Sequence, residues 1–161
     1  AEKIVAIDLE DSKLGLARQL GATHTVNARD ADAVDQVRQI TGGGVDFAFD
    51  LAGTIPAMKT AYAVTRYGGS VVTAGLSPSA AEFSFNQSDL VSQEKSIRGS
   101  YMGSCVPVRD IPRFISLYEQ GRLPVDRLID GYIGFEEVNE GFDKLQDVKT
   151  VRQILTPHSA K

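Results

Sequence analysis

Short apolar runs alternate with amphipathic stretches over roughly the first hundred residues. The run from Lys3 to Asp8 is apolar on both faces of a strand, which is typical of buried parallel strands. Leucine and alanine spaced three to four residues apart then predict a helix over 11–20. Asp11 and Ser12 are placed to cap this helix, and Gly21 to end it.

The same alternation predicts three more strand–helix steps and a last strand. The predicted strands cover 25–27, 45–51, 70–74 and 96–100, and the predicted helices cover 33–40, 58–64 and 88–93. The triplet Gly42–Gly44 follows a helix and precedes a strand, so it indicates a helix stop and not a phosphate loop. Gly68 and Gly69 are expected to close the third helix. Strands alternating with helices of this length predict an α/β fold with a parallel sheet covered on both faces.

The pattern changes after Gly103. A longer helix is predicted over 107–120, followed by a strand near Tyr132, a helix from Glu136 to about 145 and a closing strand over 151–155. We therefore divide the chain into an α/β domain, residues 1–102, and a C-terminal segment, residues 103–161.

The order of the first elements indicates an incomplete doubly wound sheet. Such a sheet usually begins with a strand, a glycine-rich turn and a helix, and the strand that follows ends in an acid. This chain opens on what resembles that second strand. We therefore expect an incomplete Rossmann-type fold with a gap in the middle of its sheet, in a chain that is a fragment or one segment of a longer protein.

Asp8 is the main candidate for chemistry. An acid at the end of the second strand of a dinucleotide-binding fold accepts hydrogen bonds from the adenosine ribose, and its charge disfavours a 2′-phosphate. The alternative is that Asp8 only helps to start the helix that follows it.

Composition excludes several classes of function. The net charge of −4 and scattered basic residues predict no nucleic-acid partner. No apolar run approaches the ~20 residues that cross a bilayer, and no signal peptide opens the chain, so we expect no membrane association and a cytoplasmic location. Cys105 is the only cysteine, and neither His24 nor His158 has a neighbour at metal-ligand spacing. The sequence therefore predicts no catalytic centre within this chain.

Several stretches together resemble one family, the zinc-containing medium-chain alcohol dehydrogenases, including the formaldehyde dehydrogenase-like branch. They run in family order along the whole chain: Ile-Val-Ala-Ile-Asp at 4–8, Leu-Gly-Ala-Thr at 20–23, Thr-Gly-Gly-Gly-Val-Asp at 41–46, Gly-Gly-Ser-Val-Val at 68–72, Gly-Ser-Tyr-Met-Gly at 99–103, Asn-Glu-Gly-Phe-Asp at 139–143 and Val-Arg-Gln-Ile-Leu at 151–155.

The resemblance implies a parent enzyme that transfers hydride between an alcohol or aldehyde and NAD. A catalytic zinc would lie in an N-terminal domain outside this chain, and the segment from about 103 onward would return to that catalytic domain. Pairing through the strand near 96–102 would suit a homodimer, and we expect the parent protein to be a homodimer or homotetramer. Without the glycine turn, the 161-residue chain is expected to bind NAD poorly and to turn over no alcohol.

The resemblance also implies site residues, all of them for the cofactor and its surroundings. They are Asp8, Lys13, Leu51, Ala52, Ala74, Gly75, Leu76, Tyr101, Met102 and Arg152.

These residues fall into groups by their implied role. Asp8 and Lys13 would bind the adenosine ribose, and Arg152 would pair with the pyrophosphate. The backbone of Ala74 and of Met102 would hold the nicotinamide carboxamide, and Gly75 would also contact the cofactor. Leu76 and Tyr101 would border the substrate pocket, and the turn at 51–52 would lie beside the riboses.

Two other classes stay open. A zinc-free quinone or enoyl reductase of the same superfamily more often uses NADPH, against which Asp8 argues. A non-catalytic nucleotide-binding module or a methyltransferase-like fold would also place an acid at a ribose, but the match of 103–155 to dehydrogenases argues against the methyltransferase.

Overall fold

The computed structural model describes residues 1–147 and 150–157, so His158 lies outside the described residues. The chain divides into two units, residues 1–105 and the residues from Val106 onward, which are described separately below. The domain boundary that we drew at 102/103 remains a prediction.

The first unit alternates strands and helices throughout. Its elements are β1 Val5–Asp8, α1 Asp11–Gln19, β2 His24–Asn27, α2 Ala33–Thr41, β3 Val45–Asp50, α3 Ile55–Val64, β4 Thr65–Thr73, α4 Gln87–Ser92, β5 Ser96–Gly99 and a 3₁₀ turn, Tyr101–Ser104.

The second unit contains α5 Pro107–Glu119, a 3₁₀ turn Val125–Leu128, β6 Gly131–Ile133, a 3₁₀ turn Phe135–Glu137, α6 Val138–Gln146 and β7 Gln153–Leu155. β6 and β7 pair in parallel.

All strand pairs of the first unit are parallel, and they form two separate sheets. β1 pairs with β2, while β4 lies between β3 and β5. In the described part of the chain, no strand pairs with the second edge of β1 or of β3. The α/β, Rossmann-type prediction is confirmed, and the break between the sheets corresponds to the expected gap.

One hydrophobic core joins the two sheets. It contains Val26 of β2, Ala48 of β3 and Val71 of β4, covered by Val37 of α2 and Met58 of α3. Full burial of an aliphatic side chain such as Val37 or Val71 stabilises the fold by roughly 1.5–3 kcal/mol each. The core therefore packs both sheets against the same layer of helices, although no strand among the described residues links the two sheets.

The end of the third helix at Val64 was predicted correctly, but its start and the residues expected to close it were predicted wrongly. α3 begins at Ile55 and not at 58, because the Thr54 hydroxyl accepts a hydrogen bond from the Ala57 amide, 3.3 Å, and Pro56 is tolerated in a first turn. Gly68 and Gly69 do not close it. They lie inside β4, where a Cβ on Gly69 would stand 2.6 Å from Thr65 Cγ2.

Other boundaries also differ from the prediction. Glu10 is the N-cap of α1, without a side-chain cap, so Asp11 and Ser12 do not cap this helix. β7 starts at Gln153 and not at 151, and a 3₁₀ turn precedes α6. The stop at Gly42 is confirmed, since this residue is the left-handed C-cap of α2 with φ +76°. Among the described residues no helix is long and apolar enough to cross a bilayer.

Candidate functional site

Asp8 lies at the carboxyl end of β1 and is half-buried. One carboxylate oxygen, Oδ1, accepts a hydrogen bond from the Glu10 amide at 2.9 Å, and the Asp8 carbonyl accepts one from the Ala28 amide at 2.9 Å. These bonds fix the strand end and the first turn of α1. The second oxygen, Oδ2, has no hydrogen bond to any described residue, so it can accept one from a ligand hydroxyl.

A cation that sequence reasoning missed stands beside this strand end. Arg29, just after β2, donates to the Leu9 carbonyl at 2.5 Å and pairs with Glu10 at 2.6 Å. Both ends of the ion pair are exposed, so it contributes at most about 1 kcal/mol of stability. The two contacts hold the Arg29 guanidinium near the strand end that carries Asp8.

Lys13 lies in the first turns of α1, five residues after Asp8, and is half-buried. Its side chain makes no hydrogen bond or ion pair with the described residues. The strand-to-helix turn therefore presents a carboxylate oxygen and an ammonium group that are both available to a ligand.

A second group of predicted residues is brought together at the carboxyl ends of β3 and β4. The turn that contains Ala52 and the segment that contains Gly75 pack back to back, and an added Cβ on Gly75 would lie 2.1 Å from the Gly53 nitrogen. Ser77 Oγ closes the contact by donating to the Gly53 carbonyl at 2.8 Å. Leu51 and Leu76, which flank this contact, are both exposed.

Asp50 holds these two segments and was missed by sequence reasoning. Its carboxylate accepts hydrogen bonds from the Ala52 amide at 3.2 Å and from the Thr73 hydroxyl at 2.9 Å, and its carbonyl accepts one from the Ala74 amide at 2.9 Å. The signal that could have found it is a second acid-ended strand, Val45–Asp50, of the same kind as β1.

The last predicted residues of this unit follow β5. The Ser100 amide donates to the Thr73 carbonyl at 2.9 Å, so the turn that carries Tyr101 and Met102 begins beside the end of β4. Both side chains are exposed. Met102 has φ +49°, a left-handed conformation that non-glycine residues adopt rarely and that clusters at functional sites.

Arg152 belongs to the second unit, immediately before β7, and its side chain is exposed. The carboxylate of Asp130 holds this segment, since it accepts hydrogen bonds from the Thr150 hydroxyl at 2.5 Å and from the Val151 amide at 2.6 Å. The Asp130 amide donates to the Arg152 carbonyl at 3.0 Å. The Thr150 hydroxyl, followed by the backbone amides of Val151, Arg152 and Asp130 itself, holds the pKa of Asp130 below its usual value.

No group of three or more His, Cys, Asp or Glu side chains converges within 1–147 and 150–157. The described residues therefore do not fit a zinc site.

Comparison with known proteins identifies relatives over nearly the whole chain. The profile of the zinc-binding dehydrogenase family matches residues 1–120. A protein from Mycobacterium tuberculosis that carries the name alcohol dehydrogenase D is 37% identical over 156 residues. Two crystal structures superpose closely. An alcohol dehydrogenase zinc-binding domain protein from Burkholderia ambifaria has a TM-score of 0.90 at 34% identity. A benzyl alcohol dehydrogenase from Acinetobacter calcoaceticus has a TM-score of 0.91 at 33% identity.

The matches cover this chain far more completely than they cover the relatives. They include 94% of this chain in the M. tuberculosis protein, and 97% and 96% in the two crystal structures. In all three cases this is 42% of the relative's own length. The chain thus spans less than half the length of the relatives it matches.

Proposed function

The chain belongs to the zinc-binding dehydrogenase family, and we propose that it forms most of the NAD-binding part of an alcohol dehydrogenase. The observation that carries this proposal is Asp8, a carboxylate at the end of a parallel strand with one oxygen unused, in the place where a dinucleotide-binding fold accepts the adenosine ribose. Bound NAD would accept a hydride from an alcohol or, when reduced, return one to an aldehyde.

Each end of the cofactor has candidate partners in this chain. Asp8 Oδ2 would accept from the ribose hydroxyls, with the Lys13 ammonium as a donor from the same turn. The exposed segments at 51–52 and 74–76, and the turn at 101–102, would border the nicotinamide. Arg152 would pair with the pyrophosphate, which a guanidinium fits through two parallel hydrogen bonds.

NAD is proposed over NADP because of charge. A 2′-phosphate would meet the Asp8 carboxylate, and the neighbouring Arg29 is already engaged by Glu10 and the Leu9 carbonyl. This charge arrangement also disfavours the zinc-free, NADPH-using reductases as the parent class. We further propose that the parent protein is a cytoplasmic homodimer or homotetramer in which a domain outside this chain supplies the zinc.

A comparison of the affinities for NAD, NADP and S-adenosylmethionine tests the proposal. Ligand-observed NMR of the 161-residue chain at millimolar NAD, NADP or S-adenosylmethionine measures weak affinities directly. Asp8→Asn should weaken NAD about tenfold, since it replaces a charged acceptor, while the affinity for NADP should not fall, since the repulsion of its 2′-phosphate is removed. Asp35→Asn is the matched control, because Asp35 is an exposed acid of the first turn of α2.

Three outcomes would contradict the proposal. They are equal affinity of the unmodified chain for NAD and NADP, an Asp8→Asn variant that binds NAD as the unmodified chain does, and displacement of NAD by S-adenosylmethionine at lower concentration. The last would favour the methyltransferase-like alternative.

A further inference from the structure

Asp50 is a buried carboxylate without a cation beside it. The residue is only 5% exposed, and none of the ion pairs formed by residues 1–147 and 150–157 involves it. Its oxygens are satisfied by neutral donors alone, the amides of Ala52 and Gly53 and the Thr73 hydroxyl. Burying a charge is costly when no opposite charge accompanies it.

The hydrogen bonds of Asp50 join two segments of the chain. The carboxylate accepts a hydrogen bond from the turn after β3. The backbone carbonyl accepts hydrogen bonds from the amides of Ala74 and Gly75, 2.9 and 3.2 Å away. These segments also touch at Gly53 and Gly75, where no side chain fits between them. Asp50 therefore links the two segments, through its side chain to Ala52 and Thr73 and through its backbone carbonyl to Ala74 and Gly75.

A neutral amide would nearly satisfy the same donors. Asparagine has the size of aspartate, keeps one carbonyl oxygen for the Ala52 and Gly53 amides, and can donate to the Thr73 hydroxyl oxygen. If the residue served packing alone, asparagine would avoid the cost of a buried charge. Aspartate therefore places at this site a negative charge that packing alone does not require.

We infer that Asp50 is a positioning residue whose charge favours the oxidised nicotinamide ring. Its hydrogen bonds hold the segments 51–53 and 74–76, and its charge lies at the carboxyl ends of β3 and β4. The inference rests on the proposed function, which places the nicotinamide against these segments. The oxidised ring is a cation and the reduced ring is neutral, so only the oxidised cofactor gains from the carboxylate.

The size of the effect follows from Coulomb attraction. With an effective dielectric constant of about 20 and a separation of about 10 Å, one unit of charge changes affinity roughly tenfold, and solvent at the open edge reduces this to about three- to tenfold.

The test compares oxidised and reduced NAD on variants of the 161-residue chain. Asp50→Asn should lower the affinity for NAD⁺ about three- to tenfold relative to NADH. Thr73→Val, which removes a donor but no charge, should weaken both forms alike, and Thr73→Ser should restore them. An Asp50→Asn variant that stays folded and keeps the original NAD⁺ to NADH ratio overturns the inference.

Amide hydrogen exchange without ligand keeps the positioning role testable on its own. Asp50→Ala should speed exchange at Ala52 and Gly53, whose amides lose their carboxylate acceptor, while β1 and β2 keep their protection. The Ala74 and Gly75 amides donate to the backbone carbonyl, which alanine keeps, so their exchange should change less. Unchanged exchange at Ala52 and Gly53 overturns the inference even if nucleotide binds. An unmodified chain that binds neither NAD⁺ nor NADH refutes the proposed function and overturns the charge effect with it, and the exchange experiment then decides the positioning role.

Discussion

Replacing Gly75 by alanine should damage the candidate site and the stability of the fold together. The new Cβ would lie 2.1 Å from the Gly53 nitrogen and 2.5 Å from its Cα, and both obstacles are backbone atoms that cannot rotate away. Because ordinary contacts begin at 3.4 Å, the two segments must separate by more than about 1 Å. The hydrogen bonds of Asp50 to both segments would then lengthen or break.

The expected cost combines two effects. Overpacking of this kind costs about 1–3 kcal/mol, and weakening a hydrogen bond to a buried charged group adds about 1.5 kcal/mol. A total near 3 kcal/mol is a large share of the 5–15 kcal/mol typical of a domain. Urea unfolding followed by far-ultraviolet circular dichroism measures the loss as a lower midpoint.

Gly99→Ala is the matched control. Gly99 lies in the neighbouring strand β5, has no atom within 4 Å of an added Cβ and does not adopt a left-handed conformation. This variant should stay within about 0.5 kcal/mol of the unmodified chain. Equal midpoints for Gly75→Ala and Gly99→Ala would refute the close contact of the two segments.

Three further predictions follow from buried or exposed groups elsewhere in the chain. Burial, and then the charge of Arg38, lower the pKa of Lys95, whose Nζ lies 3.1 Å from the Tyr62 carbonyl and 4.5 Å above its ring. The lowered pKa means that the charged form of Lys95 opposes folding. The free energy of unfolding should therefore rise as pH increases through the folded pKa toward about 10.5. Urea midpoints measured across this pH range should show the rise for the unmodified chain and not for Lys95→Met. In the second unit, the lowered pKa of Asp130 means that its stabilisation is present above about pH 3.8 and is lost as pH falls through the folded value. Thr150→Val should cost about 1 kcal/mol or less at neutral pH and reduce this acid sensitivity, and an unchanged acid titration would contradict the contact. Phe47 and Phe49 are 63% and 64% exposed on one face of β3, next to its unpaired edge, so the isolated chain should self-associate. Sedimentation velocity should show less oligomer for Phe49→Ser than for Val91→Ser, a change at another exposed apolar residue, in α4.

The strands and helices of the first unit could be predicted because their local patterns agree with the fold. β1 and β3 are short apolar runs, and Gly42 ends α2 in the conformation that favours glycine. The position of Asp8 followed from the same pattern, since an acid that ends an apolar run also ends the strand.

The rest depends on contacts between segments distant in sequence. Asp50 interrupts an apolar run, but only the pairing of β3 with β4 places its carboxylate beside Thr73 and its carbonyl beside Ala74. The role of Gly69 inside β4 is set by its approach to Thr65 and to the Val45 carbonyl, so its neighbours in sequence wrongly indicated a helix end. Likewise, the hydrogen bonds from residues 150–152 to the Asp130 carboxylate join positions about twenty residues apart.

The central claim is that the carboxyl ends of the first unit's strands bind NAD, and one spectrum series tests it most directly. An NMR titration of the isotope-labelled chain with millimolar NAD shows which backbone amide signals shift. The account predicts shifts at Glu10, Ala52, Gly53, Ala74 and Gly75, reduced around Glu10 in Asp8→Asn. Shifts confined to other amides, or no shifts at the highest NAD concentration used, would contradict the account.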